Sequence, residues 1–161
     1  MVLVLTGVAV ANFAQHVNEG PRVLLFALAR KATGLDRYPT IHELRRGLAL
    51  VPTAEGTPSR LPECCLIIWI EASIGAGTHH DIALLFRDAD GDELHRADRP
   101  GLEFKKAADG YPLYLLYVIP LTGSKLPAFG DYTIELLVDG RKLAETPLYL
   151  GRADPERNDV S

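Results

Sequence analysis

The feature that most constrains this chain is a recurrence of strand-length runs rich in β-branched, aliphatic and aromatic residues, each bounded by clusters of Gly, Pro, Asn or Asp. Such runs cover residues 2–11, 22–30, 47–51, 64–72, 79–87, 92–97, 102–106, 112–119, 131–138 and 142–150. They predict an all-β chain folded as an antiparallel β-sandwich. A chain of 161 residues has the size of one domain, read here as residues 1–151, and folding removes roughly 70% of its unfolded surface from water. Residues 152–161 are charged and apolar-poor and read as a flexible tail.

Turn chemistry fixes several pairings. In Asp88-Ala89-Asp90-Gly91-Asp92-Glu93, a three-residue loop with Gly91 in the left-handed conformation sets Arg87 against Glu93 and Phe86 against Leu94. Asp139-Gly140 is a strong type I′ signal joining 131–138 to 142–150, with Pro147 marking an edge. A loop at Ile74-Gly75-Ala76-Gly77 suggests a further hairpin, pairing Cys65, Ile67 and Trp69 with Phe86, Leu84 and Ile82 as one core face. That register puts Glu71 opposite His80. It also leaves Leu66, Ile68, Ile70, Ala83 and Leu85 on the reverse face, where an isolated sandwich should be polar. A second copy covering Leu66, Ile68, Ile70 and Leu85 would resolve the conflict, and self-association is the expectation.

Residues 31–62 are too long and polar for a hairpin loop. Within them Pro39-Thr40-Ile41-His42-Glu43 offers a capping box and Gly47 a stop, predicting one short helix over 41–46 with Ile41 and Leu44 inward.

Composition sets the remaining bounds. Lys plus Arg is 17 against 21 for Asp plus Glu, a net charge of −4, from which neither a nucleic-acid nor an anionic-membrane partner is expected. The only cysteines, Cys64 and Cys65, are adjacent in an apolar run and point to opposite faces, so two buried reduced thiols are expected. The apolar amino terminus has no basic residue before it and reads as a first strand, although Ala9-Val10-Ala11 resembles a cleavage site. A cytoplasmic protein is the resulting expectation.

Residues capable of chemistry are sparse. The acidic tip at 88–93 lacks the spacing of a calcium loop, with Gly91 at position four and Arg99 at position twelve. His79, His80 and Asp81 are the tightest set of metal-type ligands, but neighbours on a strand diverge, and a zinc site would need a third ligand such as His42 or His16. No serine lies in G-x-S-x-G, and Gly123-Ser124-Lys125 lacks the phosphate-loop spacing. Neither a cofactor nor a metal is therefore expected. Tyr111, Tyr114 and Tyr117 read as core residues on an apolar strand.

Phe129-Gly130-Asp131-Tyr132 resembles the turn and tyrosine that open the penultimate strand of immunoglobulin-like sandwiches. Together with Val8-Ala9-Val10-Ala11-Asn12, Gly20-Pro21-Arg22-Val23-Leu24, Gly77-Thr78-His79, the run into Asp90-Gly91, and Pro147-Leu148, it makes the chain resemble an uncharacterised bacterial family of small β-sandwich proteins, a domain of unknown function. The resemblance covers most of the chain outside 31–62. It implies a bacterial, cytoplasmic, immunoglobulin-like sandwich and brings no catalytic residues. The functional expectation is a non-enzymatic binding or assembly module that forms homo-oligomers. The competing expectation is a small-ligand binder or hydrolytic enzyme whose site lies between 31–62 and the sheet, built from His42, Glu71, His79, His80 and Asp81.

Overall fold

A computed structural model describes residues 2–3, 20–34, 40–106 and 112–153. Beyond Leu3, the expected first strand lies outside these residues, as do His16, Tyr111 and the tail from residue 154. The elements are β1 (Val2–Leu3), β2 (Arg22–Thr33), β3 (Thr40–Arg45), β4 (Gly47–Leu50), β5 (Cys65–Ala72), β6 (His79–Arg87), β7 (Glu93–Glu103), β8 (Lys105–Lys106), β9 (Leu113–Pro120), β10 (Gly130–Val138) and β11 (Arg141–Arg152). One sheet has the order β1-β3-β2-β5-β9-β8 and the other β4-β11-β10-β6-β7. All pairings are antiparallel except β4 with β11.

The two sheets share one core. The first contributes Leu28, Leu66, Ile68, Ile70, Leu113 and Leu115, and the second Leu48, Leu50, Ile82, Leu84, Ile134, Leu136 and Leu148. Each fully buried Leu or Ile contributes roughly 1.5–3 kcal/mol. A smaller cluster of Ala29, Ile41, Cys65 and Ile67, with Leu25, Leu116 and Val118 beside it, lies on the other face of the first sheet.

Three expectations are corrected. The segment 41–46 is not a helix: residues 40–45 form β3, paired on one side with β2 and on the other with β1. β-branched Thr40 and Ile41 favour the strand, and the tertiary ladder overrides the capping signal. Glu43 takes φ 58° there, Ile41 is buried as expected and Leu44 is exposed. Gly47 is no helix stop either. It opens β4, where a Cβ would meet the Tyr149 carbonyl oxygen at 3.0 Å, so the close parallel approach of β4 to β11 favours glycine.

The second correction concerns β5 and β6, which are not a hairpin. β5 pairs with β2 and β9, while β6 pairs with β10 and β7. Ile74–Ala76 forms a single 3-10 turn on the link that carries the chain from one sheet to the other. The faces of β5 are consequently reversed. Leu66, Ile68 and Ile70 point into the core with no exposed surface, so they offer no association face. Leu85 does lie on the outer side of its sheet, but it is buried between Glu135 of β10 and Arg96 of β7.

The third is a register. Gly91 has φ 86° and Arg87 faces Glu93, as the three-residue loop requires. A bulge then intervenes, so that Phe86 opposes His95 instead of Leu94. The Asp139-Gly140 turn forms as expected, with φ 50° and 77° and Val138 opposite Arg141. Pro147 falls before the stretch of β11 that β4 covers, leaving its missing N–H without consequence.

Candidate functional site

The five residues expected to form a site do not converge. His42 sits level with Lys31 on β2, and its Nε2 lies 3.2 Å from the Thr33 hydroxyl. Glu71 sits level with Arg22 at the far end of β2 and forms an ion pair with it. Nine residues of strand separate those levels, about 30 Å at strand rise. His79 is exposed, its Nδ1 2.9 Å from the Thr78 hydroxyl.

His80 and Asp81 do form a cluster, with a partner the sequence did not suggest. The His80 ring is 3% exposed and packs against Phe104 with centroids 4.6 Å apart. Its Nδ1 donates to the Asp139 carboxylate at 2.7 Å, while the other Asp139 oxygen accepts from the Asp81 backbone N–H at 2.9 Å. Partial burial pushes the Asp139 carboxyl up, but the His80 bond, the Asp81 amide and the imidazole charge outweigh it, holding this group below the ordinary aspartate value. The Asp81 side chain accepts from Gly101 N–H at 2.8 Å, at the bulge of β7 opposite it. These contacts tie the β10–β11 turn to the start of β6. His80 Nε2 is buried without a partner among the described residues.

Asp88 acts similarly at the acidic tip, where one oxygen accepts from the amides of Asp90 and Asp92 at 3.1 and 2.9 Å. Cys64 and Cys65 are both free and buried. Burial pushes the Cys64 thiol up to about 11, with the Cys65 charge adding to it. Cys65 is raised as well, chiefly by burial.

A concavity lies elsewhere. A cavity of about 600 Å³ opens between the sheets on the side where β7 and β9 lie. Its floor is apolar: Ile82, Leu84 and Phe86 from β6, Tyr117 and Ile119 from β9, and Leu121 and Leu126 beyond. The β7 wall presents Leu94, His95, Ala97 and Arg99, the last three at alternate positions facing Phe86, Leu84 and Ile82. Lys125 and Ser124 line it from the loop after β9. Since β8 pairs only with Leu113 and Tyr114, the rest of β9 is an open edge among the described residues. Sequence reasoning ended this strand at residue 97 and missed the site. The available signal was His95-x-Ala97-x-Arg99, a polar series at strand spacing with a small residue at its centre.

The fold and cleft define an all-β protein of two facing sheets with an apolar cavity at one open edge. The chain belongs to a family of unknown function, DUF6941, whose model matches residues 53–151. No curated protein matches it. Among solved structures, the chain is similar to the Pseudomonas fluorescens alkylpurine DNA glycosylase AlkC, bound to DNA containing an abasic site analog. Identity is 13% and the TM-score 0.39, over 83% of this chain and 30% of that one. The chain thus spans under a third of that protein, and the likeness carries no argument about function. The exclusion of a nucleic-acid partner drawn from net charge is withdrawn: net charge bounds the sum of the cations, not their placement. Among the described residues, no helix is long and apolar enough to cross a membrane.

Proposed function

We propose that the chain is a non-enzymatic binding module, and that its binding element is the cleft between β6, β7 and β9. The observation that carries this reading is a cavity of about 600 Å³ with a mostly apolar lining and a few polar groups at its margin, the usual make-up and size of a ligand pocket. The lining includes one serine and one histidine but neither a carboxylate nor a thiol, which favours binding over hydrolysis. Assembly through Leu66, Ile68 and Ile70 has lost its support, since these side chains have no exposed surface. A cytoplasmic, bacterial, immunoglobulin-like protein remains our reading of the whole. Two free thiols favour a reducing compartment. The Tyr132 hydroxyl donates to the Ala128 carbonyl at 2.7 Å, in the manner of a tyrosine corner.

The test is an amide-resolved NMR titration with dodecanol as a neutral apolar probe. Shifts concentrated at Ala97, Tyr117 and Leu126, abolished by Ala97→Trp, are expected. Binding by the Trp variant at wild-type strength would refute the cleft as the binding element.

A further inference from the structure

We infer that the cleft takes an amphipathic anion, an acyl chain ending in a carboxylate, with its head held by Arg99 and Lys125; this rests on the cleft being the binding element. Strand alternation carries the first part. Inward positions of a two-sheet fold should be apolar, yet β7 turns His95 and Arg99 toward the interior on either side of Ala97. A larger aliphatic residue at 97 would fill the space; alanine leaves it open opposite Leu84. An apolar channel with cations at its margin is the result.

Charge complementarity carries the second part. Arg99, Lys125 and His95 all line the cleft, and among the described residues no carboxylate does, in a chain whose net charge is −4. Asp98, the neighbour of Arg99, faces the opposite side of β7 and is engaged by Arg96 at 2.9 Å. Arg99 spends one nitrogen on the Asp98 backbone carbonyl at 2.9 Å and forms no ion pair among the described residues. Lys125 likewise forms none. Two uncompensated cations beside an apolar cavity suit a ligand with an apolar body and an anionic head, and guanidinium with ammonium is a pairing that grips a carboxylate.

Inward charges on an edge strand also discourage edge-to-edge pairing, and the experiment separates the two roles. Isothermal titration of the whole chain would compare dodecanoate, dodecanol and dodecylamine below their aggregation concentrations. Dodecanoate is expected to bind most tightly, Arg99→Ala to weaken it roughly tenfold, and Arg99→Lys to keep most of the affinity. Dodecanol should be unaffected by either substitution. Equal affinities for dodecanoate and dodecanol, unchanged in Arg99→Ala and Lys125→Ala, would overturn the anionic ligand while leaving the cleft intact. Failure of all three probes to bind would overturn both readings. Arg99 is exposed on an edge strand, and a urea midpoint equal to wild type certifies the Arg99→Ala fold.

Discussion

Replacing Asp139 should reveal how much a single turn residue holds together. The residue stands in the left-handed region at φ 50°, where aspartate and asparagine are tolerated and alanine costs about 1 kcal/mol more. Its two oxygens serve His80 Nδ1 and the Asp81 amide. Alanine leaves a 97%-buried imidazole with neither ring nitrogen bonded, at a further cost of about 1–3 kcal/mol. Asp139→Ala should therefore lose about 2–4 kcal/mol, a large part of a typical 5–15 kcal/mol stability. In urea this lowers the unfolding midpoint by about 1–2 M. Asp139→Asn keeps the turn and one carbonyl acceptor. Its amide can donate to Nδ1 if the imidazole changes tautomer, so it should lose only about 1 kcal/mol. Nitrogen-15 shifts of the His80 ring report that change directly. Because the folded-state pKa of Asp139 is depressed, its ionisation stabilises the fold above the unfolded value near 3.9 and ceases to do so as pH falls through the lower folded value. Asp139→Asn should lack this increment. Equal losses for Ala and Asn, or a loss below about 0.5 kcal/mol for Ala, would refute the claim that Asp139 supports His80.

Three more outcomes follow from the geometry. Native protein should react slowly with a thiol reagent at pH 8, since burial holds Cys64 near 11 and raises Cys65, and denaturation should release two thiols; rapid native labelling would contradict the packing of β5. Hydrogen bonds from Lys142 and Arg87 hold the Glu135 carboxyl below its usual range, so its ionisation contributes stability above the unfolded value near ~4.3 that disappears as pH falls through the folded value. The Glu135→Gln variant should have a flatter acid limb in a pH series of urea midpoints. Ile68→Asp should unfold the chain instead of separating subunits, because the side chain has no exposed surface and an unpaired buried charge costs several kcal/mol; circular dichroism of a folded variant would show the assigned faces of β5 to be wrong.

Local turn chemistry was the legible part of the fold. Asp139-Gly140 and Gly91 specify their loops because few residues accept positive φ, and both turns form where the sequence puts them. What lay between distant strands was not legible. Cys65, Ile67 and Trp69 alternate with Leu66, Ile68 and Ile70, and both sets are apolar, so periodicity identifies a strand without saying which side faces in. The link Ser73–Gly77 suits a hairpin loop as well as a passage between sheets, and pairing partners decide between them. The error then propagated: placing Leu66, Ile68 and Ile70 outside created an apolar face that required a second subunit. At residues 40–45 the capping signal was local and real, but a strand bonded on both sides outweighs a six-residue helix, which is marginal in water by itself.

The cleft escaped notice for a different reason. β7 is exposed along nearly its whole length, so its sequence, Glu93-Leu94-His95-Arg96-Ala97-Asp98-Arg99, carries no apolar alternation from which to read an inward face. Its orientation is imposed by β6, whose apolar Ile82, Leu84 and Phe86 must face the core and which therefore turns Arg99, Ala97 and His95 the same way. The bulge after Arg87 completes the effect. Without it Phe86 faces Leu94, His95 faces Leu85 on the outer side, and Arg96 and Asp98 turn inward opposite Leu84 and Ile82. One extra residue in β7 thus turns His95, Ala97 and Arg99 inward in place of Arg96 and Asp98, and bulges commonly re-aim side chains at functional positions in this way. The carboxylate-free wall of the cleft is a consequence of register: without the bulge, Asp98 would stand opposite Ile82 and turn its charge toward the cavity.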